Sequence, residues 1–178
     1  MLKTEFNGDV AQAALTRLIE VMGNPAPIMR EIGERLMEVS KQSFETSSSP
    51  SGVRWASNSE ATIIDYLNKF SGSYKKDGTI SAKGTRQAIS KRPLIGLSKD
   101  LSRQFSYTVD ASSVTVFNTM PYAAMQQFGG TKAQFPNLWG DIPARPFMPM
   151  DAAGQADETA ENIVLDIARY YIDNAIPD

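Results

Sequence analysis

Arg145 is the side chain most firmly posed for chemistry by its neighbours. It lies in Ile142-Pro143-Ala144-Arg145-Pro146-Phe147. Each proline holds φ at about −65° and removes a backbone donor, and the residue before each is driven toward extended geometry. The product is a stiff, extended strand that presents a guanidinium at a set angle. A guanidinium offers a planar fork of N–H donors to a carboxylate or to carbonyls. Two uses follow. In the first, the segment is an edge strand whose Arg145 pairs with a local carboxylate or caps the C-terminal end of a helix. In the second, the strand packs against a neighbouring protomer and Arg145 forks onto that partner's acid or carbonyls. The second use predicts that Arg145→Ala leaves a folded monomer and weakens assembly.

A second set of residues carries charge. Between Lys69 and Arg92 stand seven cations (Lys69, Lys75, Lys76, Lys83, Arg86, Lys91 and Arg92) against Asp77, a net of +6. The whole chain carries −2, so the remainder carries −8, and residues 151–178 hold seven acids against Arg169, a net of −6. Such a distribution is read either as solvated surface or as a basic arm that docks on an acidic neighbour. The neighbour can be another subunit's terminal helix or nucleic acid, including non-specific contact with DNA in a channel. Tyr74 is nearly the only aromatic in the arm, so base stacking is not indicated and subunit docking is the favoured use.

The chain has no cysteine and no histidine. That removes disulfides, thiolate chemistry, His/Cys zinc sites and triads built on histidine. Acid–base work would fall to carboxylates, lysine or tyrosine. No tight carboxylate cluster, P-loop or dinucleotide fingerprint occurs, so no enzyme, cofactor or metal site is expected. At 178 residues, with 42% hydrophobic and 21% charged residues, the chain reads as a single domain spanning 1–178 with a real core. No run approaches the length of apolar residues a membrane span requires, and the polar N-terminal MLKTEFNGDV predicts no signal peptide. A reducing cytoplasm suits the lack of cysteine.

Hydrophobic spacing places the elements that must hold these groups. An amphipathic helix is expected over 9–22, with Val10, Ala14, Leu18 and Val21 on one face. A second runs over about 27–44, with Pro27 in its first turn and Ile28, Ile32, Leu36, Val39 and Phe44 in its stripe. Ser57-x-x-Glu60 reads as a capping box that opens a short helix over about 59–69. Residues 71–92 show no sustained apolar period and read as a long basic loop or an irregular hairpin. Leu94, Leu97 and Leu101 suggest a packed helical turn. Phe105–Val109 and Val114–Phe117 alternate apolar with polar residues around a turn at 110–113, which makes a β-hairpin. A short helix or extended piece follows at Pro121-Tyr122, and a terminal helix covers 155–175 with Ile163, Ile167, Tyr170 and Asn174 on one face. The fold class is α+β: N-terminal helices, a small antiparallel sheet with a hairpin, and a C-terminal helix.

Among the aromatics, Trp55, Tyr122, Phe128 and Phe147 are expected in the core. Phe135 and Trp139 lie in a Gly/Pro/Asn loop, where exposed aromatics mark interfaces as often as core. Gln126 and Gln127 point to hydrogen-bonded structure, and Gly129-Gly130 to a backbone turn.

The order of these motifs resembles the phage virion morphogenesis family, also called the phage tail completion proteins. Tyr122, Ala123, Gln127, Phe128, Gly129 and Gly130 fit its Y-A-x-[apolar]-H-Q-F-G-G segment, and Ile142 to Phe147 fit its I-P-A-R-P-F. Pro50 to Trp55 is similar to its P-x-G-x-x-W turn, and Leu94 to Phe117 to its L…L…S segment with two strands, so about residues 28–150 are covered. Two positions depart: Gln126 stands where the family has histidine, and Lys99 where it has glycine. The first departure argues that the histidine is not a required chemical group.

The resemblance implies a structural virion protein of the neck or tail end, assembled in the host cytoplasm. It would be a tail terminator or completion protein that forms a ring and mediates head–tail joining. Self-association into a six-fold ring is implied, or a twelve-fold one for a head–tail connector (adaptor or stopper), with other neck or tail proteins as partners and no membrane. The interface candidates are Arg145, Phe135, Trp139, Lys75, Lys76, Lys83 and Arg86. The structural motif residues are Trp55, Tyr122, Gln127, Phe128, Gly129, Gly130, Pro143, Pro146 and Phe147. A nucleic-acid-binding accessory factor that uses the 69–92 arm is the competing use.

Overall fold

The structure is a computed structural model, described here for residues 9–110, 112–138 and 140–175. Helix α1 spans Asp9–Gly23 and α2 spans Ala26–Thr46. Pro25 and Pro27 suit the start of α2, where the first amides have no intrahelical partner. Its last turn closes at Ser47, in left-handed geometry at φ 55°. After α3 (Glu60–Asn68), α4 (Ala82–Ser90) and the single turn α5 (Asp100–Arg103) comes the hairpin of β1 (Phe105–Val109) and β2 (Val114–Asn118). The strands pair antiparallel, with Tyr107 opposite Val116 and Val109 opposite Val114. Helix α6 (Ala123–Phe128) and α7 (Glu158–Ala175) complete an α+β fold. Among the described residues no helix is long and apolar enough to cross a membrane.

Helix α2 is the axis of the molecule, with the hairpin and α7 both packed on it. The hairpin approaches closely because Gly33 has no side chain. A Cβ there would lie 2.7 Å from the Tyr107 ring and 2.9 Å from Val114. At the C-terminal end of α2, Phe44 meets Trp55, Phe105 and Phe147 at ring-centroid distances of 5.4, 6.1 and 5.2 Å. These tilted and edge-on arrangements suit the ring quadrupoles. Leu101, Ala123 and Met148 close the same buried cluster.

Several expectations change. Residues 71–92 are not a long loop. Tyr74 and Ile80 form an isolated bridge around a turn in which Thr79 N and Oγ1 both donate to Asp77 Oδ1, so the irregular hairpin exists. The remainder is α4, capped by Ser81, whose Oγ accepts from Gly84 N at 3.0 Å. This helix shows no apolar period because the residue it buries is Gly84, tucked against the Ser73 carbonyl. Helix α3 is capped by Ser59, which accepts from Thr62 N, and not by Ser57; the Ser57 carbonyl receives Arg145 instead. Helix α7 starts at Glu158, and it turns Ala160, Ile167 and Ala175 inward while Tyr170 and Asn174 are exposed. Leu97 is exposed, so Leu101 alone of the 94–101 leucines is fully buried. On α1, Leu18 is half-buried, and Val10, Ala14 and Val21 have side chains outside the described set.

Lys99 adopts φ 60° and ψ 23°, just before α5. That left-handed backbone suits glycine, since a Cβ costs about 1–2 kcal/mol in this region. Glycine returns part of the gain as unfolded-state entropy. Lys99→Gly is therefore expected to stabilise the chain by about 0.5–1 kcal/mol, read as a rise in Tm of about 1–4 °C. Lys99→Ala keeps the Cβ and should give no gain; an equal gain from alanine would remove the backbone explanation.

Candidate functional site

The segment 142–148 runs extended, and its backbone groups are claimed one after another. Ile142 exchanges both backbone bonds with Gly130, at 2.8 and 2.9 Å, and Arg145 N donates to Gln126 O at 2.8 Å. The next two amides have no strand beside them, and the Gln127 side chain takes that place. Its Oε1 accepts from Phe147 N at 2.8 Å and from Met148 N at 3.0 Å, while Nε2 donates to Met148 O at 3.0 Å. Gln127 is 3% exposed. A primary amide offers both acceptor and donors on one planar group, so it mimics the peptide of a missing strand. Gly129 sets the approach: it sits at φ 71°, and a Cβ would lie 2.6 Å from Ala144 N.

The other edge of the segment is zipped to residues 55–57. Trp55 Nε1 donates to Pro146 O at 2.7 Å. Arg145 Nε donates to Ala56 O and Nη2 to Ser57 O, both at 2.9 Å. Neither proline has an amide to lose there. Phe147, fully buried, anchors the segment in the core.

Arg145 is therefore a correction to its expected interface use. It is 8% exposed, and its fork is spent on carbonyls of its own chain, not on a carboxylate or a helix end. Burial holds its pKa below the usual arginine value. Nearby, burial lowers the Lys91 pKa as well, followed by repulsion from Lys69 and Arg145. Lys91 Nζ donates to the carbonyls of Ile95 and Arg92 and lies 5.4 Å from the Tyr66 ring centroid.

The core expectation holds for Trp55 and Phe147 and fails for Tyr122 and Phe128, which are 42% and 45% exposed. Helix α6 is short, and its inward positions are taken by Ala123 and Gln127; the need to bury Gln127 turns Phe128 outward. Phe128 instead flanks a cleft of about 570 Å³ together with Phe135, Gly130, Ile142 and Pro143. Phe135 is also exposed. Trp139 lies outside the described residues.

The cationic candidates sit elsewhere, in the arm built by α3, the 74–80 turn and α4. Lys75, Lys76, Lys83 and Arg86 are exposed. Lys83 Nζ donates to Ser71 O at 2.7 Å, and Lys69 pairs with Asp65 at 2.7 Å. Arg92, which spacing alone left in the basic cluster, is a latch: its Nη1 donates to Glu45 O at 3.0 Å and Phe44 O at 3.5 Å, where a cation meets the negative end of the α2 dipole. Only the packing of the arm on α2 reveals that use.

The motif thus spells a clamp. Gln127, Gly129, Arg145, Trp55 and Phe147 lock three stretches of chain together, while an aromatic surface and a basic arm remain exposed. Residues 7–172 match the model of the phage virion morphogenesis family. Neither the curated proteins nor the solved structures gave a match. The match spans nearly the whole chain and contains every residue of the clamp, so the protein belongs to the phage virion morphogenesis family, with a structural or assembly role in the virion.

Proposed function

We propose that this chain is a tail terminator or tail completion protein that forms a ring at the neck or tail end and mediates head–tail joining. The observation that carries the proposal is the exposed aromatic cleft of Phe128 and Phe135, built on the rigid clamp. Large exposed aromatics on a stiff support are the composition of a protein contact surface. A six-fold ring suits a tail terminator; a twelve-fold ring would make the chain a head–tail connector. Light scattering with negative-stain images of the same fractions tests this. A closed ring is expected, and its order assigns the position. Phe128→Ser with Phe135→Ser should leave the fold intact and prevent attachment to tails or heads in an in vitro joining assay. Undiminished joining by that variant would sink the assignment of the cleft.

A second use is favoured by the net charge of +6 over residues 69–92: contact with DNA in the channel. It predicts binding that falls steeply between about 50 and 200 mM salt. Charge reversal at Lys75, Lys76 and Lys83 would abolish it; retention on DNA unchanged by those reversals would end this second use.

A further inference from the structure

The outer face of α4 carries Lys83, Arg86 and Ile89, spaced by three residues and so on one stripe of the helix. Gly84 lies on the opposite, buried side. Ile89 is 81% exposed, and Ile80, in the adjoining turn, is also exposed. An isoleucine so bare, between cations at the tip of an arm, has no role in the fold of its own protomer. A matching stripe of opposite sign runs along α7. Glu158, Glu161, Leu165, Arg169 and Ile172 share one face there, with both apolar residues exposed and Arg169 turned to Asp166 at 3.8 Å. On the other side of α7, where it faces α2, a groove of about 580 Å³ is lined by Glu31, Glu34, Glu38 and Asp166, with Arg35 as its one cation. Arg35 is already paired with Glu38 at 2.6 Å.

Among the described residues no ion pair joins these two stripes within the protomer. The arm is tied to the C-terminal end of α2 by Arg92. Helix α7 lies along the flank of α2, with Ile163 and Ile167 beside Glu31 to Glu38. Each stripe combines charge with bare aliphatic side chains, and the signs are complementary.

We infer that the α4 arm of one copy docks on the α7 face of a second copy, head to tail, through Ile89 on Leu165 and Ile172 and through Lys83 and Arg86 on the acids beside them. The inference rests on the ring proposal above and names its interface. A contact between two different patches is heterologous and repeats until a ring closes. Like charge opposes arm–arm and α7–α7 pairing, so the alternative symmetric dimer is disfavoured.

The cysteine-free sequence gives a direct test. A chain with Ile89→Cys is mixed with a chain with Leu165→Cys, under diamide as oxidant. Both positions are exposed, and circular dichroism checks that each variant is folded. Disulfide-linked heterodimer should form about tenfold faster than either variant links to itself. Arg86→Glu in the first chain, or Glu161→Lys in the second, should each slow the linkage about threefold, the scale of an exposed ion pair. Both changes together should restore it, and higher salt should weaken it.

A heterodimer rate no greater than the self-linking rates overturns the inference. So does retention of the arm on duplex DNA without linkage, which assigns the cations to nucleic acid. The wild-type mass reports on the ring separately. A ring without this linkage keeps the ring and discards the interface. Linkage in open chains or dimers keeps the interface and discards the ring. The absence of both discards both.

Discussion

Gln127→Ala should lower the stability of the folded chain by about 3–5 kcal/mol. The substitution leaves Phe147 N, Met148 N and Met148 O without their partner, and each buried, unsatisfied polar group costs about 1–3 kcal/mol. It also opens a gap beside the buried Phe147. Because domains of this size are stable by only about 5–15 kcal/mol, the variant should be partly unfolded at modest urea concentrations. Gln127→Glu keeps an acceptor for both amides but sets a carboxylate oxygen against Met148 O, so it should recover only part of the loss at neutral pH. Equilibrium urea denaturation checks both. A loss under about 1 kcal/mol for alanine would mean that water replaces the amide and that the clamp is not what Gln127 provides.

Arg145→Ala should cost about 2–3 kcal/mol, the scale of two hydrogen bonds from a charged donor. The figure sits below that for Gln127 because Ala56 and Ser57 lie at the surface, where water can reach the released carbonyls. The loss should be local as well as global. Arg145 ties residues 56–57 to the clamp, and the arm is otherwise latched by Arg92. Hydrogen exchange in α3 and α4 should therefore rise more than in α2 or the hairpin. Arg145→Lys should not rescue, since an ammonium lacks the fork that meets two successive carbonyls. This replaces the expectation of an intact monomer with weakened assembly. Assembly lost at unchanged monomer stability and unchanged exchange would restore the interface role.

How far the sequence carried can be judged residue by residue. The hairpin was legible to within a residue, because the alternation in Phe105–Val109 and Val114–Val116 follows directly from one buried and one solvated face. Helices α2 and α7 were legible from their apolar stripes. Trp55 and Phe147 were legible as core, and Gln127 as a structural amide. Helix α4 was not, because an arm that packs through glycine and serine leaves no apolar period to read. The capping-box spacing points to Ser57, whereas Ser59 caps α3 and the Ser57 carbonyl receives Arg145. Residue type alone puts Tyr122 and Phe128 inside, where large aromatics usually belong; a six-residue helix that must bury Gln127 has no further inward position to give them.

The sequence by itself determined the α+β class, the hairpin, the family, the excess of cations over 69–92 and the exclusion of histidine and cysteine chemistry. All of these are set by residue type and local spacing. The tertiary structure decided what the motif residues do. It spent Arg145 on Ala56 and Ser57, made Gln127 stand in for a missing strand, set Lys99 in a glycine conformation and turned Phe128 to the surface. Those outcomes depend on which distant backbone groups lack partners once the core has closed around Phe44, and the partners lie up to 91 residues apart, as between Trp55 and Pro146. No local pattern carries that information, because a buried hydrogen bond is worth making only where the rest of the fold has already excluded water.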